Sequence, residues 1–279
     1  MGILLALTAA LAYGLSDFLG GIVSRRTTAW PVALTAGLGG LLGAVVLAAF
    51  VDGDPTRSDL LWGALSGVGS GAGGAFLYRG FATGRMGVVA PVSAVGAAVL
   101  PVVVGVATGE RPGVVVWLGI LAAMPGIWLV ARTPDEVGTA GGTVDAALVD
   151  GLLAGLGFGV LFVALGQVPD EAGYLPLVAG QLTSLVAIAV LASLFGAVWL
   201  PRVASQWWGV AAGLLASAAV LCFLLATQRG LLTVAAVLTS LYPAFTVLLA
   251  ATALRERIHA AQAVGLVLCG VAVGLVAGG

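Results

Sequence analysis

The sequence predicts an all-α integral membrane protein in which ten transmembrane helices form two inverted five-helix repeats around a central cavity. Three observations predict this fold class. Hydrophobic residues make up 61% of the 279 residues and charged residues only 8%, whereas a soluble domain carries roughly 25% charged residues. The apolar residues form ten long runs, and the two halves of the chain resemble each other.

Ten apolar runs lie between short charged or turn-rich breaks, and each is close to the roughly 20 residues that a helix needs to cross a bilayer. They are continuous, whereas strands of a membrane barrel alternate over about 10 residues. The first run lacks a charged leading segment and a second run follows directly, so it is predicted to be a retained span. The runs lie near 3–23, 32–51, 60–78, 86–107, 113–131, 148–167, 174–199, 207–227, 231–252 and 260–278.

The charge balance excludes other classes of protein. Eleven basic residues, all arginine, and 12 acidic residues give a net charge of -1, so no basic surface is expected to bind nucleic acid. So apolar a chain is also not disordered, and its two cysteines cannot form a disulfide framework. The single histidine, His259, has no second histidine or cysteine nearby, so neither a metal site nor a cofactor is predicted.

The longest linker, residues 132–147, is rich in glycine, threonine and acidic residues. It separates a first five-helix repeat, residues 1–131, from a second, residues 148–279. No segment is large enough for an additional soluble domain. We therefore predict two membrane-embedded halves and no fused nucleotide-binding domain.

The two halves align when the first is shifted by 145 or 146 positions. A duplicated unit with an odd number of spans must be inverted relative to its copy, and inverted repeats are a recurrent transporter design. The alternative is a ten-span protein that transports nothing. The aligned pairs include Trp62 with Trp208, Gly67 with Gly213, Tyr13-Gly14 with Phe158-Gly159, and Glu110-Arg111 with Glu256-Arg257.

Short motifs at the span boundaries resemble a known family. Leu241-Tyr242-Pro243 in span nine is followed by Arg255-Glu256-Arg257, and Gly109-Glu110-Arg111 closes span four. With ten short spans in a five-plus-five repeat, the chain resembles the EamA-like branch of the drug/metabolite transporter (DMT) superfamily. In span four the expected proline is displaced, because Ala97 occupies its position between Pro91 and Pro101.

The resemblance implies a bundle whose cavity is lined by spans one, three, four, six, eight and nine. It also implies small substrates such as amino acids, nucleobases, sugars or drugs, export as the commoner direction in bacteria, and in many members use of the proton gradient. The motifs are mostly structural and name no substrate.

Asp17 is the most informative candidate for chemistry, because an acid within an apolar span costs several kcal/mol and usually faces a water-filled path. The functional interpretation is a proton-coupling and substrate-binding residue. The alternative is an acid near the lipid headgroups that pairs with Arg25, Arg26 or another arginine at the end of a span.

Other polar and aromatic side chains within the spans are candidates for substrate binding. Tyr13 and Asp17 are four residues apart and share one helix face. Hydrogen bonding between helices is the alternative role of the hydroxyls, and packing that of the aromatic rings. The complete predicted set is Tyr13, Ser16, Asp17, Tyr78, Ser93, Phe158, Phe162, Ser240 and Tyr242.

Three prolines within spans, Pro91, Pro101 and Pro243, are predicted hinges, with simple helix bending as the alternative. The glycines recur at four-residue spacing, as in Gly63-x-x-x-Gly67, and allow close helix packing. That packing is expected within the chain, with homodimerisation as the alternative, so the protein is predicted to be a monomer or a homodimer.

The orientation in the membrane is a point of conflict. With the termini inside, the inner loops would carry three arginines, Arg57, Arg111 and Arg229, and the outer loops the other eight. The positive-inside rule therefore favours both termini outside, while the family resemblance implies both inside. We adopt termini inside as the working expectation.

The predicted function is that of a secondary active transporter, not an enzyme, which moves a small metabolite by alternating access. Its expected partners are that small-molecule substrate and membrane lipid. The absence of lysine and the abundance of alanine, glycine and arginine suggest a bacterial plasma membrane. The alternatives are a multidrug or cationic-compound exporter, a membrane enzyme acting on a lipid-linked substrate, and a channel.

Overall fold

The computed structural model describes residues 1–82, 86–131, 144–253 and 258–278. These contain eleven α-helices and no strand. Most of the predicted linker 132–147 and the Arg255-Glu256-Arg257 motif lie outside the described residues. The helices are α1 Gly2–Arg26, α2 Ala29–Phe50, α3 Arg57–Ala82, α4 Met86–Ala107, α5 Val114–Ala131, α6 Val144–Leu165, α7 Leu175–Leu194, α8 Gly209–Thr227, α9 Leu232–Thr239, α10 Tyr242–Ala253 and α11 Ala260–Gly278.

The prediction of ten transmembrane helices is confirmed, because ten helical segments of the described chain are long and apolar enough to cross a membrane. Nine of them are single helices, one of which, α8, is preceded by a short 3-10 turn at Ala204–Trp208. The remaining span consists of α9 and α10 together. The apolar runs determine these helices because every backbone N–H and C=O must be satisfied internally in lipid.

Successive spans alternate in direction, which divides the described loops between two ends of the bundle. We call the end that contains Met1, Gly278 and the loops 51–56, 108–113, 166–174 and 228–231 the terminal end. The other end carries Arg25, Arg26, Arg79 and Arg202, and we call it the arginine end.

The two halves are packed against each other along most of their length. α3 packs against α6 and α7, α8 against α1 and α2, α4 against α6, α1 against α9 and α10, and α5 against α11. These pairs exchange when spans one to five are matched with spans six to ten. The packing thus agrees with a duplicated unit, while the inversion of one copy stays a prediction.

One aligned glycine pair makes the same close approach in both halves. A Cβ atom on Gly67 would lie 1.8 Å from the carbonyl oxygen of Gly180, and one on Gly213 would lie 1.8 Å from that of Ala36. Both distances are far below van der Waals contact. Glycine is therefore needed at both positions for α3 to pack on α7 and α8 on α2.

Span nine is interrupted between Thr239 and Tyr242, whereas α4 is continuous across Pro91 and Pro101. Proline has no N–H, so Pro243 cannot bond to the Thr239 carbonyl as a helix requires. Just before this proline, the N–H of Leu241 donates to the Leu238 carbonyl at 3.2 Å, which is three residues back and not the four of an α-helix. Only one of the three predicted hinge prolines thus coincides with a break in its helix.

Candidate functional site

A cavity lies between the two halves at about the middle of the bundle. Its empty volume is about 610 Å³, including solvent space at its open side. Six helices line it: α1, α2 and α3 from the first half, and α6, α7 and α8 from the second. The lining residues are Tyr13, Ser16, Asp17, Ala33, Ala36, Gly37, Gly40, Ser70, Gly74, Leu77, Tyr78, Phe158, Gln181, Ser184, Ile188, Gly213, Ala216 and Val220.

The walls of this cavity differ from those that the resemblance implied, because spans two and seven replace spans four and nine. α4 packs too closely on α6 to leave space, since a Cβ atom on Gly96 would lie 3.0 Å from the Cα atom of Gly155. α2 presents small side chains to the cavity, such as those of Ala33 and Ala36. The small residues of α2 leave space for a cavity, whereas the close packing of α4 on α6 leaves none.

Asp17 is half-buried and provides the one carboxylate among the lining residues, which include no arginine or histidine. It lies close enough to Tyr13, Tyr78 and Tyr242 for electrostatic interaction. Within the described ranges the structure contains no ion pair of Asp17 with Arg25, Arg26 or another arginine. None of the described arginines thus makes the pairing on which the headgroup alternative depends.

The neighbours of Asp17 are held by contacts between helices. The Ser16 hydroxyl donates to the Ala212 carbonyl at 2.9 Å, which joins α1 to α8. A Cβ atom on Gly20 would lie 2.3 Å from the Tyr78 hydroxyl oxygen. The absence of a side chain at Gly20 thus lets the Tyr78 phenol lie against α1 beside the cavity.

The predicted site residues fall into two groups. Tyr13, Ser16, Asp17, Tyr78 and Phe158 line the cavity. The remaining four do not line it; they are Ser93, Phe162, Ser240 and Tyr242.

Two members of the second group pack against Tyr13, and a third contacts one of these two. The rings of Tyr242 and Phe162 lie 6.3 Å and 6.2 Å from the Tyr13 ring. The Tyr242 hydroxyl is 3.3 Å from the Ser93 Oγ. The buried Ser240 hydroxyl has no hydrogen-bond partner among the described residues. These side chains could reach a substrate only if the packing around Tyr13 changed.

Sequence reasoning missed the polar contribution of α7 and the serine of α3. Gln181, Ser184 and Ser70 line the cavity, and the amide of Gln181 lies where a Cβ atom on Gly40 would be. The signal that could have identified them is the presence of polar side chains near the middle of an apolar span.

An ion pair between the halves was also missed. Nε of Arg79 donates to Asp150 Oδ1 at 2.9 Å, and Nη2 donates to the same oxygen. The guanidinium carbon lies 4.8 Å from the Phe76 ring centroid and 4.4 Å from that of Phe195, within range for cation–π attraction. The signal in the sequence that could have indicated this ion pair is Asp150, an acid inside the apolar run of span six.

Glu110 joins the halves at the terminal end. Its carboxylate accepts hydrogen bonds from the backbone N–H groups of Leu232 at 2.6 Å and Thr233 at 3.0 Å. A carboxylate at the first turn of α9 satisfies free N–H groups and complements the helix dipole. The preceding Gly109 has φ 107°, a conformation that favours glycine. Within the Gly109-Glu110-Arg111 motif, Glu110 thus caps a helix of the other half.

A comparison with known families identifies the scaffold. The sequence profile of the EamA-like transporter family matches residues 1–132 and, a second time, residues 146–278. The chain belongs to the EamA-like transporter family. The predicted resemblance to the DMT superfamily is therefore confirmed, and this EamA-like protein is a multi-pass membrane protein of a transporter family.

A solved structure agrees with the EamA-like fold. It is described as "Crystal structure of protein", is 21% identical in sequence, covers 99% of this chain and 96% of its own, and superposes with a TM-score of 0.70. At that identity the likeness shows the fold alone. No curated protein sequence matches this chain.

Proposed function

We propose that the protein is a secondary active transporter that exports a small metabolite, such as an amino acid or a nucleobase, from a bacterial cell. Membership of the EamA-like family makes it a membrane transporter. The proposal adds a proton-coupled, alternating-access mechanism centred on Asp17. The observation that carries it is the position of that carboxylate in the cavity without an ion-pair partner in the described chain.

A carboxylate enclosed by apolar helices is costly unless it is protonated or faces a cation. A proton and a positively charged substrate group would thus both stabilise Asp17. Tyr13, Ser16 and Tyr78 line the same cavity as Asp17, and Phe158 provides an aromatic wall from the second half. We assign substrate binding to these residues and proton coupling to Asp17.

The second group of predicted residues is assigned to the moving part of the site. A Cβ atom on Gly14 would lie 2.9 Å from the Tyr242 carbonyl oxygen, so α10 packs on α1 beside Tyr13. Bending of span nine at Pro243 would move Tyr242 away from Ser93 and Tyr13. We propose that this motion brings Ser93, Phe162, Ser240 and Tyr242 to the substrate path, while Pro91 and Pro101 contribute smaller bends.

A second candidate function is export of cationic compounds. It is favoured by the presence of one acidic and no basic side chain among the lining residues. The two candidates differ in the charge of the substrate, because a cation would compete with the proton for Asp17, whereas a neutral or zwitterionic metabolite would also use the hydroxyls and Gln181.

The test is uptake into proteoliposomes of a panel of amino acids, nucleobases, sugars and cationic drugs, with and without a pH gradient. We expect a substrate-specific flux that grows with the gradient, and we expect Asp17→Asn to remove the dependence on the gradient while the protein still folds. Asp54→Asn is the matched control, because Asp54 is exposed in a loop.

A flux with the same pH dependence in the wild type and in Asp17→Asn would contradict the assignment of Asp17. Absence of net flux and of counterflow in folded protein would contradict transport of every compound tested and favour the enzyme alternative. Orientation is tested separately by a C-terminal reporter that is active only in the cytoplasm. A silent but well-expressed fusion would contradict the proposed placement of the termini inside.

A further inference from the structure

We propose that the arginine end carries a binding site for the phosphate headgroup of an anionic phospholipid, formed by Arg25, Arg26 and Arg202 next to Trp207 and Trp208. The site is outside the cavity, and its test does not depend on transport.

The three arginines are brought to one corner of the bundle by a buried amide. Gln206, only 5% exposed, donates from Nε2 to the Thr28 Oγ1 at 3.1 Å. Its Oε1 accepts from the backbone N–H of Arg202 at 2.7 Å. Arg202 and the turn that follows Arg26 are therefore held on opposite sides of one side-chain amide.

A further hydrogen bond holds Gln206 in place. The Thr35 hydroxyl donates to the Gln206 carbonyl at 2.8 Å, which fastens the Ala204–Trp208 turn to α2. Both hydrogen-bonding ends of the Gln206 side chain are thus satisfied within the protein. The geometry of the corner is determined by these buried contacts and does not depend on the arginine side chains, which remain available to a ligand.

The three arginine residues are exposed, and none of them pairs with a carboxylate in the part of the chain that the structure describes. Trp207 and Trp208 are 52% and 64% exposed at the start of span eight. Tryptophan is enriched at the level of lipid headgroups, and the guanidinium group binds phosphate oxygens in a bidentate manner. Exposed arginine and tryptophan at one depth match an anionic lipid in charge and in polarity.

The terminal end lacks this combination and provides a matched control. Its exposed arginines belong to three separate segments, because Arg57 begins α3 while Arg111 and Arg229 lie in two different loops. The exposed acids Asp52 and Asp54 lie in the loop before Arg57. Removing these three arginines changes the net charge by the same amount without touching the proposed site.

The experiment measures quenching of tryptophan fluorescence by brominated phosphatidylglycerol and brominated phosphatidylcholine, each titrated into the full-length protein in mixed micelles. We expect preferential quenching by phosphatidylglycerol. An arginine near an anionic surface contributes about 1 kcal/mol, which is about a fivefold change in affinity. Changing Arg25, Arg26 and Arg202 together to glutamine should therefore weaken phosphatidylglycerol binding at least fivefold, and about 100-fold if the contributions add.

Three further arms make the result specific. The triple arginine-to-lysine variant should retain most of the affinity, and the glutamine triple at the terminal end should retain all of it. In a Trp207→Phe, Trp208→Phe variant the phosphatidylglycerol-dependent quenching should fall. Inorganic phosphate at millimolar concentration should not displace the lipid.

Equal quenching by the two lipids would overturn the proposal, as would equal losses in the two glutamine triples. Quenching that persists without Trp207 and Trp208 would place the lipid elsewhere on the protein. Full displacement by inorganic phosphate would mean a site for a free anion, which also overturns the assignment to lipid.

Discussion

The first half of the chain presents a polar wall to the cavity at positions where the second half is apolar. At the shift of 145, Asp17 aligns with Phe162 and Ser16 with Leu161; at the shift of 146, Tyr78 aligns with Leu224. Asp17, Ser16 and Tyr78 line the cavity, whereas their three counterparts are buried in the hydrophobic core. One scaffold thus supports two different interiors.

Aromatic side chains pack together at the positions of the second half that align with the polar wall. The Phe162 ring stacks on the Phe223 ring with centroids 4.4 Å apart, and Phe223 aligns with Leu77, which lines the cavity. Because the repeat exchanges α1, α2 and α3 with α6, α7 and α8, a duplicated fold could present related side chains to the cavity from both halves. The difference between Asp17 and Phe162 teaches that side-chain size and polarity, rather than the backbone repeat, make the site one-sided.

The ion pair between the halves is one-sided as well. Arg79 and Asp150 align with Leu225 and Leu5. The repeat-related positions therefore lack the charges that join α3 to α6 at the arginine end. An ion pair thus joins α3 to α6 at the arginine end, whereas leucines occupy the equivalent positions of α8 and α1 at the terminal end.

Truncation of the aromatic filling should have the largest effect on stability. We expect Phe162→Ala to lower the free energy of unfolding by about 3–5 kcal/mol, because it opens a cavity in a close-packed core. Phe158→Ala is the matched control, since Phe158 is half-buried at the cavity and its loss should cost less. Thermal unfolding in detergent measures both, and a smaller loss for Phe162→Ala would contradict the comparison.

The aligned glycines should sharpen the comparison, because they test the part of the scaffold that the halves share. We expect Gly67→Ala and Gly213→Ala each to destabilise the fold by about 1–3 kcal/mol through overpacking. The control is Gly270→Ala, since a Cβ atom there meets nothing within 4 Å. Markedly unequal losses of melting temperature at the two glycines would show that the close approaches are not equivalent.

The ion pair should have a smaller effect, because the Arg79 side chain is 26% exposed and partly solvated. In a double-mutant cycle of Arg79→Gln and Asp150→Asn, we expect a coupling energy of about 1–2 kcal/mol. The cycle uses the free energy of unfolding of both single variants and the double variant. Additive losses would indicate that the two residues stabilise the bundle independently.

The sequence by itself determined the membrane class, the ten spans, the duplication and the family. Span length and hydrophobicity are local properties, and a run of about 20 apolar residues has few alternatives in a bilayer. The aligned glycines and the Gly109-Glu110-Arg111 motif could be found in the same way. Asp17, too, was visible as an acid within an apolar run.

Only the tertiary structure decided which helices line the cavity and which charges meet. Gln181 and Ser184 reach it because α7 packs beside α3, and Tyr242 does not because α10 packs behind Tyr13. Arg79 and Asp150 are 71 residues apart in the chain, so no local pattern connects them. Such contacts depend on how each helix is rotated and packed against its neighbours, which is set by the whole bundle and not by any single span.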